Sequence, residues 1–477
     1  MSIRAIFSDR CFVAPSPQLR KKMARQLKSL RTRAGGALAS KMRMTDLRYP
    51  GLNDGLIIPG DQFPLGAPLA EVRSAALRRA PLRAKVRVIV VLVDFSDKRM
   101  TRTADSFRRL FFSRGELANG SVREYYDEVS NGKIDIDGEV VGPYRMPRTL
   151  AYYANGNSGE SATGPSARQM ALDAAKAANK DVNFRPYDND GNGYVDAFIV
   201  IHAGKGAETT NSPRDIWSHK WVLPTEPYPA DSVKIYAYLT VPEDCKIGVC
   251  AHEIGHLLFG WPDLYDTDYS SSGLGDWCLM AGGSWNGTGD IPAHPSAWCK
   301  ANQGWVSVVN QRTNATVRIG DVKNTKTVYR LWRRGSGGLE YFLVENRQRS
   351  RFDRRLPGDG LLVYHIDESI DSNDYERHYM VGLVQADGLR QLEQGVSEGD
   401  TGDPFPGSSR NRSLTPTSDP SSESYARANT GVSVTNISAS GNVMTARFTV
   451  QSAPSPASKR RSPRGKPGTR RAAARRK

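Results

Sequence analysis

The chain has 477 residues, 39% of them hydrophobic, and a formal net charge of +16. The positive charge is concentrated in two short ends of the chain. Residues 1–48 and residues 452–477 carry a net charge of +10 each, which leaves a net charge of −4 for residues 49–451. A protein that follows a phosphate backbone needs its lysines and arginines on the folded surface that meets the nucleic acid. The charge distribution therefore argues against a nucleic-acid-binding body, although the basic ends are able to contact anionic polymers.

The sequence pattern contains no membrane or export signal. No stretch approaches the roughly 18 consecutive apolar residues of a membrane span. The short apolar run at residues 5–7 is followed by polar residues 8–10, so the apolar core of a secretory signal is not visible. From the residues alone we expect a protein without a membrane span, and the cytoplasm is the alternative to an exported location.

Residues 1–84 are predicted to form a basic N-terminal segment, which is a candidate propeptide. A helix-like run begins at Leu19 and continues to Arg33, where the pair Gly35-Gly36 ends it. Residues 50–68 are rich in proline and glycine and are typical of a linker or extended loop.

Residues 85–309 are predicted to form the main domain. The run at 86–95 is nearly continuous in β-branched residues, as in a buried central strand. Helical spacing of apolar residues predicts a helix over 166–178, and a second buried strand is expected at 197–202.

From residue 310 the pattern changes to short apolar runs separated by turn residues, for example at 341–344 and 361–364. This pattern predicts a β-rich C-terminal domain over 310–451. The tail at 452–477 consists of small, basic and proline residues, and we expect it to be disordered because it has too little apolar surface to bury.

The segment that points to chemistry contains His252, Glu253 and His256. Positions four apart lie on one face of a helix, so both imidazoles can reach one zinc ion while Glu253 faces the metal-bound water. Zinc lowers the pKa of that water and polarises a carbonyl, and the glutamate takes the proton as the water attacks. Gly260 and Pro262 are predicted to end the helix. The alternative is a surface helix that happens to carry these three residues.

A catalytic zinc usually has three protein ligands and one open position. No glutamate follows His256 before Glu340, which argues against a glutamate ligand on a nearby following helix. Asp263, just past the Gly-Pro turn, is our first choice and Asp266 the second. The other local candidates are Asp268, Asp276, Asp290 and His294.

These residues resemble those of a known family, the immune inhibitor A-type zinc metallopeptidases, which belong to the zincins. The resemblance is clearest at 252–256, at the Gly-Trp-Pro-Asp-Leu-Tyr-Asp run of 260–266, and at Trp277-Cys278-Leu279-Met280-Ala281. Further similar stretches lie at 91–95, 121–126 and 343–347.

The resemblance implies an α+β fold, in which a zincin-like domain with a twisted sheet and a zinc-binding helix precedes the β-rich region. It also implies an aspartate as the third ligand, which supports Asp263, and a methionine turn in which Met280 supports the zinc site. A methionine in a loop is otherwise usually core filler. Finally, the resemblance implies secretion, in contrast to the missing signal.

A second candidate metal site is the run from 188 to 196. Oxygen-bearing side chains alternate there around two glycines, as calcium prefers on a sharply turning backbone. The candidate ligands are Asp188, Asp190, Asn192, Tyr194 and Asp196. Position twelve is Ile199 rather than glutamate, so the loop is not a full EF-hand, and a plain Asp/Asn/Gly turn is the alternative.

The sequence therefore predicts a zinc-dependent endopeptidase with Glu253 as general base, acting as a monomer on polypeptides. Cys11 could bind the zinc as a thiolate and keep the enzyme latent, whereas the simpler interpretation is a free thiol on a disordered arm. The alternative functions are a catalytically silent, calcium-stabilised binding protein with the same fold, and a surface or nucleic-acid binder that works through its tails. The sequence does not identify the group that stabilises the oxyanion.

Overall fold

The computed structural model describes residues 11–23 and 82–450, except Thr225 and Asp371. Within the predicted helix at 19–33, the described part is helical and begins at residue 17. The predicted linker at 50–68 and the predicted tail at 452–477 lie outside the described residues.

The described residues contain sixteen strands and eight labelled helices. The strands are β1 (Cys11–Phe12), β2 (Ala84–Asp94), β3 (Ile134–Arg145), β4 (Phe198–His202), β5 (His219–Val222), β6 (Tyr228–Ala230), β7 (Val233–Ile235), β8 (Ala237–Pro242), β9 (Ser307–Gln311), β10 (Ala315–Gly320), β11 (Thr327–Trp332), β12 (Glu340–Arg347), β13 (Gly360–Asp367), β14 (Val381–Leu383), β15 (Val432–Thr435) and β16 (Val443–Val450). The helices are α1 (Ala104–Phe112), α2 (Val122–Val129), α3 (Leu150–Ala154), α4 (Ala167–Ala178), α5 (Ala207–Thr210), α6 (Ile247–Phe259), α7 (Ala297–Asn302) and α8 (Val322–Thr325).

A six-stranded sheet with the order β1-β5-β8-β4-β2-β3 organises the first half. Strands β3, β2, β4 and β8 are parallel, β5 runs antiparallel to β8, and β1 pairs antiparallel with β5 at the edge. The two buried strands that the sequence predicts are present as β2 and β4. The N-terminal segment therefore adds a strand to the sheet of the main domain.

Alternation along β2 explains why helices cover both faces of this sheet. Val88, Val90 and Leu92 pack with helices α1, α2 and α6, whereas Ile89 and Val91 pack on the opposite face with α4. Successive side chains of a strand point to opposite faces, so a strand buried on both faces reads as a continuous apolar run. The mixed α/β architecture and the helix predicted at 166–178 are confirmed, the latter with Ser166 at its N-cap.

After residue 306 the described chain forms two further sheets, with the orders β14-β13-β12-β11-β9 and β10-β16-β15. The predicted apolar runs lie in β12 and β13, which pair antiparallel. Leu343 of β12 and Tyr364 of β13 belong to the same hydrophobic cluster as Ile254 of α6. The later strands therefore pack onto the layer that carries the metal-binding motif.

Candidate active site

Helix α6 positions the three motif residues. All thirteen of its residues are buried, and it ends at Gly260, whose φ of 60° is the left-handed conformation that glycine adopts without strain. The Gly260 amide donates to the Gly255 and His256 carbonyls. The predicted end of the helix is therefore correct, and the chain turns back toward the histidines directly after it.

The imidazole rings of His252 and His256 meet edge to face, and their Nε2 atoms lie 3.0 Å apart. Each Nδ1 faces a backbone carbonyl, that of Leu279 at 3.0 Å for His252 and that of Trp261 at 2.5 Å for His256. A carbonyl can only accept, so in the neutral form each ring carries its proton on Nδ1 and keeps a lone pair on Nε2. This tautomer is the one in which Nε2 can bind a metal.

Asp263 completes the group, with its Oδ1 3.2 Å from Nε2 of His252 and 3.1 Å from Nε2 of His256. Burial lowers the pKa of His256, while the two histidines outweigh burial and lower the pKa of Asp263 to about 2. In the tautomer with both protons on Nδ1, two imidazole lone pairs and one carboxylate oxygen are directed at one another. Such acceptors repel unless a cation lies between them, and two imidazoles with one carboxylate suit zinc.

Asp266, the second choice for the third ligand, lies in a different environment. Its Oδ2 accepts hydrogen bonds from Ser270 Oγ at 2.9 Å and Ser271 Oγ at 2.6 Å. Burial, followed by the charge of Asp268, raises the pKa of Asp266 to about 8. The structure therefore brings Asp263, and not Asp266, to the histidine pair.

Glu253 is fully buried, and neither of its carboxylate oxygens has a hydrogen-bond partner among the described residues. Burial, followed by the charge of Asp263, raises the pKa of Glu253 well above its usual value. An unpartnered buried carboxylate is costly. Its position beside the histidines fits a group that exchanges protons with a water held there.

The turn that contains Met280 packs against the inner face of α6. A Cβ on Gly255 would lie 2.7 Å from Met280 Sδ, so glycine at this position allows the close approach. The same turn supplies the Leu279 carbonyl that orients His252. Met280 therefore contacts the motif helix, and its backbone neighbour holds one candidate ligand.

The N-terminal segment lies over these residues. Strand β1 pairs Cys11 with Lys220 and Phe12 with His219 of β5. The Phe12 carbonyl oxygen accepts a hydrogen bond from Tyr265 Oη at 3.0 Å and lies 3.2 Å from Nε2 of His252.

The indoles of Trp217 and Trp285 extend this contact by donating to the carbonyls of Val13 and Ala14. Cys11, His256 and Asp263 each offer one ligand atom, and these atoms lie within 4.8 Å of one another. Sequence reasoning selected Cys11 by residue type and missed Tyr265, whose only signal was its place two residues after Asp263.

The second candidate metal site is a compact loop between residue 187 and β4. Carboxylate oxygens of Asp188, Asp190 and Asp196 lie within 4.8 Å of one another. Backbone amides partly satisfy them, since the Gly193 amide donates to Asp188 at 2.9 Å and the Asn189 amide to Asp196 at 2.6 Å. The other two candidate side chains have different contacts. Asn192 Oδ1 accepts a hydrogen bond from the Tyr194 amide. The Tyr194 ring lies next to the Lys234 ammonium group.

Comparison with known proteins supports the resemblance read from the sequence. Residues 80–309 match the family described as immune inhibitor A peptidase M6, catalytic domain. The matched range includes β2 to β8, helix α6 and the turn at Met280.

Two curated relatives are 30% identical. Immune inhibitor A of Bacillus thuringiensis subsp. alesti aligns over 256 residues, which are 43% of this chain and 37% of that protein. The pre-pro-metalloprotease PrtV of Vibrio cholerae serotype O1 aligns over 269 residues, 45% of this chain and 29% of that protein. The chain thus spans only about a third of each relative.

Proposed function

We propose that the chain is a zinc-dependent endopeptidase with Glu253 as general base, because residues 80–309 match the catalytic domain of the immune inhibitor A peptidase M6 family. One observation carries the proposal: Nε2 of His252, Nε2 of His256 and Oδ1 of Asp263 converge within 3.0–3.2 Å beside the unpartnered carboxylate of Glu253. The substrates would be polypeptides, as for a metalloprotease.

Zinc, when bound, would lower the pKa of a water molecule and polarise the scissile carbonyl. The residues of the chain account for the remaining requirements. The carbonyls of Leu279 and Trp261 fix the two imidazoles, and Asp263 supplies the negative charge of the ligand set. Glu253 would accept the proton of the attacking water and pass it to the leaving nitrogen.

Latency is the second part of the proposal. Cys11 would add a thiolate ligand to the site, and strand β1 would cover the edge of β5 along which a polypeptide substrate could otherwise pair. Arg20 adds an ion pair with the partly buried Glu398 to this contact. Residues 11–23 would therefore act as an inhibitory segment, and removal or displacement would be needed for full activity.

We further propose calcium in the loop at 188–196, where it would fasten the loop ahead of β4. Asp188, Asp190 and Asp196 supply the three converging carboxylates.

For the whole protein we propose secretion, because this family resemblance implies it, and a monomeric state. No helix among the described residues is long and apolar enough to cross a membrane. The catalytically silent, calcium-stabilised binding protein is the alternative, and the unpartnered carboxylate of Glu253 argues against it.

The test is casein hydrolysis by the purified full-length chain, with and without zinc chelation. Glu253→Ala removes the proposed base, and Glu116→Ala on an exposed loop serves as the matched control. We expect activity to disappear on chelation, to return with zinc, and to be missing only in Glu253→Ala at equal zinc content. If the folded, zinc-loaded chain stays inactive even after residues 1–23 are cut away by limited proteolysis, the binding-protein alternative replaces the peptidase.

A further inference from the structure

The Phe12 carbonyl lies at the edge of the candidate metal site. It belongs to an extended segment paired with a sheet edge, and its oxygen lies 3.2 Å from Nε2 of His252. Nδ1 of His252 faces the Leu279 carbonyl, so Nε2 is the ring atom directed at the Phe12 oxygen. The carbonyl of an extended segment therefore reaches the edge of the proposed metal site.

One side chain donates to this oxygen. Tyr265 Oη is 3.0 Å away, a normal hydrogen-bond length, and the Tyr265 side chain is 4% exposed. The Tyr265 ring packs near the His252 ring and stacks at an interplanar angle of 11° on Tyr269. The hydroxyl is therefore held in place before any substrate arrives.

We propose that Tyr265 is a catalytic residue that stabilises the oxyanion formed from the scissile carbonyl, with the Phe12 carbonyl as its stand-in in this structure. The inference rests on the proposed peptidase function and adds a residue to it. Tyr265 lies two positions after Asp263, so the turn that delivers the candidate third ligand also delivers the hydroxyl.

The chemistry balances without net proton transfer from the tyrosine. Water adds to the carbonyl carbon while Glu253 takes one of its protons, and the π pair of the carbonyl moves onto the oxygen. Tyr265 Oη donates a hydrogen bond to that oxygen as its charge grows, which stabilises the transition state more than the ground state. The oxygen pair then re-forms the C=O bond as the C–N bond breaks. The electron pair of the C–N bond goes to nitrogen, and Glu253 returns the proton to that nitrogen.

The test uses the full-length chain in the Cys11→Ser background, which removes the thiol from the site in every variant compared. Tyr265→Phe deletes only the hydroxyl, and Tyr269→Phe makes the same change in the stacked neighbour. Loss of one oxyanion donor lowers kcat by roughly 100- to 1000-fold in a well-studied protease. We therefore expect kcat for a fluorogenic peptide to fall by about this factor in Tyr265→Phe, with little change in KM and none in zinc content.

A second readout does not need turnover. With Glu253→Ala added to each variant, calorimetry should show weaker binding of a phosphinic peptide, which mimics the tetrahedral oxyanion, in Tyr265→Phe than in Tyr269→Phe. Binding of the corresponding uncleaved amide peptide should change much less.

The assignment would be overturned if Tyr265→Phe and its Cys11→Ser parent had equal kcat values. It would also be overturned if Tyr265→Phe weakened the binding of the phosphinic peptide and of the amide peptide by the same factor. If the parent itself cleaves nothing in any form, the peptidase proposal fails, and the role of Tyr265 fails with it.

Discussion

The thiol sulfur of Cys11 lies within 4.8 Å of the ligand atom that His256 offers, although the two residues are 245 positions apart in the sequence. Strand β1 creates this proximity by pairing Cys11 with Lys220 on β5. The N-terminal segment therefore lies in the candidate active site as an added strand, with a potential metal ligand at its first described residue.

Replacement of Cys11 by serine should raise basal peptidase activity. A serine hydroxyl binds zinc far more weakly than a thiolate, so the segment would lose its metal ligand while keeping its β pairing. If the Cys11 thiolate contributes only about 1.4 kcal/mol to the binding of the inhibitory segment, its loss should raise the activity roughly tenfold. Casein hydrolysis by wild type and Cys11→Ser at equal zinc content measures this.

Cys11→His serves as the matched control for the latency prediction, because it changes the side chain but keeps a metal-ligating group at position 11. Its activity should remain close to that of the wild type. Equal activities in all three proteins would show that Cys11 is an inert thiol.

Substitution of each candidate for the third zinc ligand should distinguish Asp263 from Asp266. Asp263→Asn removes a charge that faces both Nε2 atoms, so its zinc affinity should fall by more than the roughly 10- to 100-fold cost of losing an outer hydrogen-bond partner. Asp266→Asn should keep zinc, because its carboxylate accepts from two serines instead. Competition with a chelating dye gives both affinities, and the reverse ranking would make Asp266 the ligand.

The sequence predicted the parts of this site that depend on local periodicity. Helix α6 and its end at Gly260 follow from apolar spacing and from the Gly and Pro signals, and the histidine spacing follows from helix geometry. The sequence ranked Asp263 first by its place just past the Gly-Pro turn and by the family resemblance. It could not give the approach of Asp263 to the histidines, which depends on the course of the chain after Gly260.

The contacts of the N-terminal segment were beyond sequence reasoning for a different reason. Phe12 meets Tyr265 and His219 only because β1 adds to the edge of a sheet whose partner strand begins about two hundred residues later. Such pairing leaves no local pattern, and a two-residue strand has no periodicity to detect. The sequence therefore predicted the candidate zinc ligands and the candidate base, but it did not predict the contacts of the N-terminal segment that covers them.

Calcium should stabilise the chain through the loop at 188–196. A ligand that binds only the folded state adds about 2.7 kcal/mol to the free energy of unfolding at one hundred times its Kd. We therefore expect urea unfolding to shift with calcium in the wild type and to lose that shift in Asp190→Asn. Asp105→Asn, on the exposed face of α1, should behave as the wild type. An equal calcium response in all three proteins would place the ion elsewhere.

Gly255 and Met280 should be energetically coupled. Alanine favours a helix over glycine by about 1 kcal/mol, but its Cβ would lie 2.7 Å from Met280 Sδ, and such overpacking typically costs about 1–3 kcal/mol. Gly255→Ala should therefore destabilise the wild type, yet be neutral or stabilising in the Met280→Ala background. A double-mutant cycle of urea unfolding measures the coupling, and additive effects would contradict close packing of the turn beneath α6.

The protonation of His202, at the end of β4, should be detectable in the pH dependence of the free energy of unfolding. This side chain is fully buried, its Nδ1 lies 3.0 Å from the Ala203 carbonyl, and its Nε2 has no hydrogen-bond partner among the described residues. Burial lowers its pKa from 6.5 to about 4. Between these two values the unfolded chain binds a proton that the folded chain does not, so the free energy of unfolding falls as the pH falls through this window.

The full contribution of His202 is about 3 kcal/mol, present above pH 6.5 and lost by about pH 4. His202→Asn keeps a polar donor near the Ala203 carbonyl but does not titrate. Between pH 7 and pH 4 the wild type should therefore lose about 3 kcal/mol more than the variant in urea unfolding, whatever other groups contribute to both. Parallel stability curves would mean that the folded chain takes up this proton as readily as the unfolded one, through water or a local opening at the carboxyl end of β4.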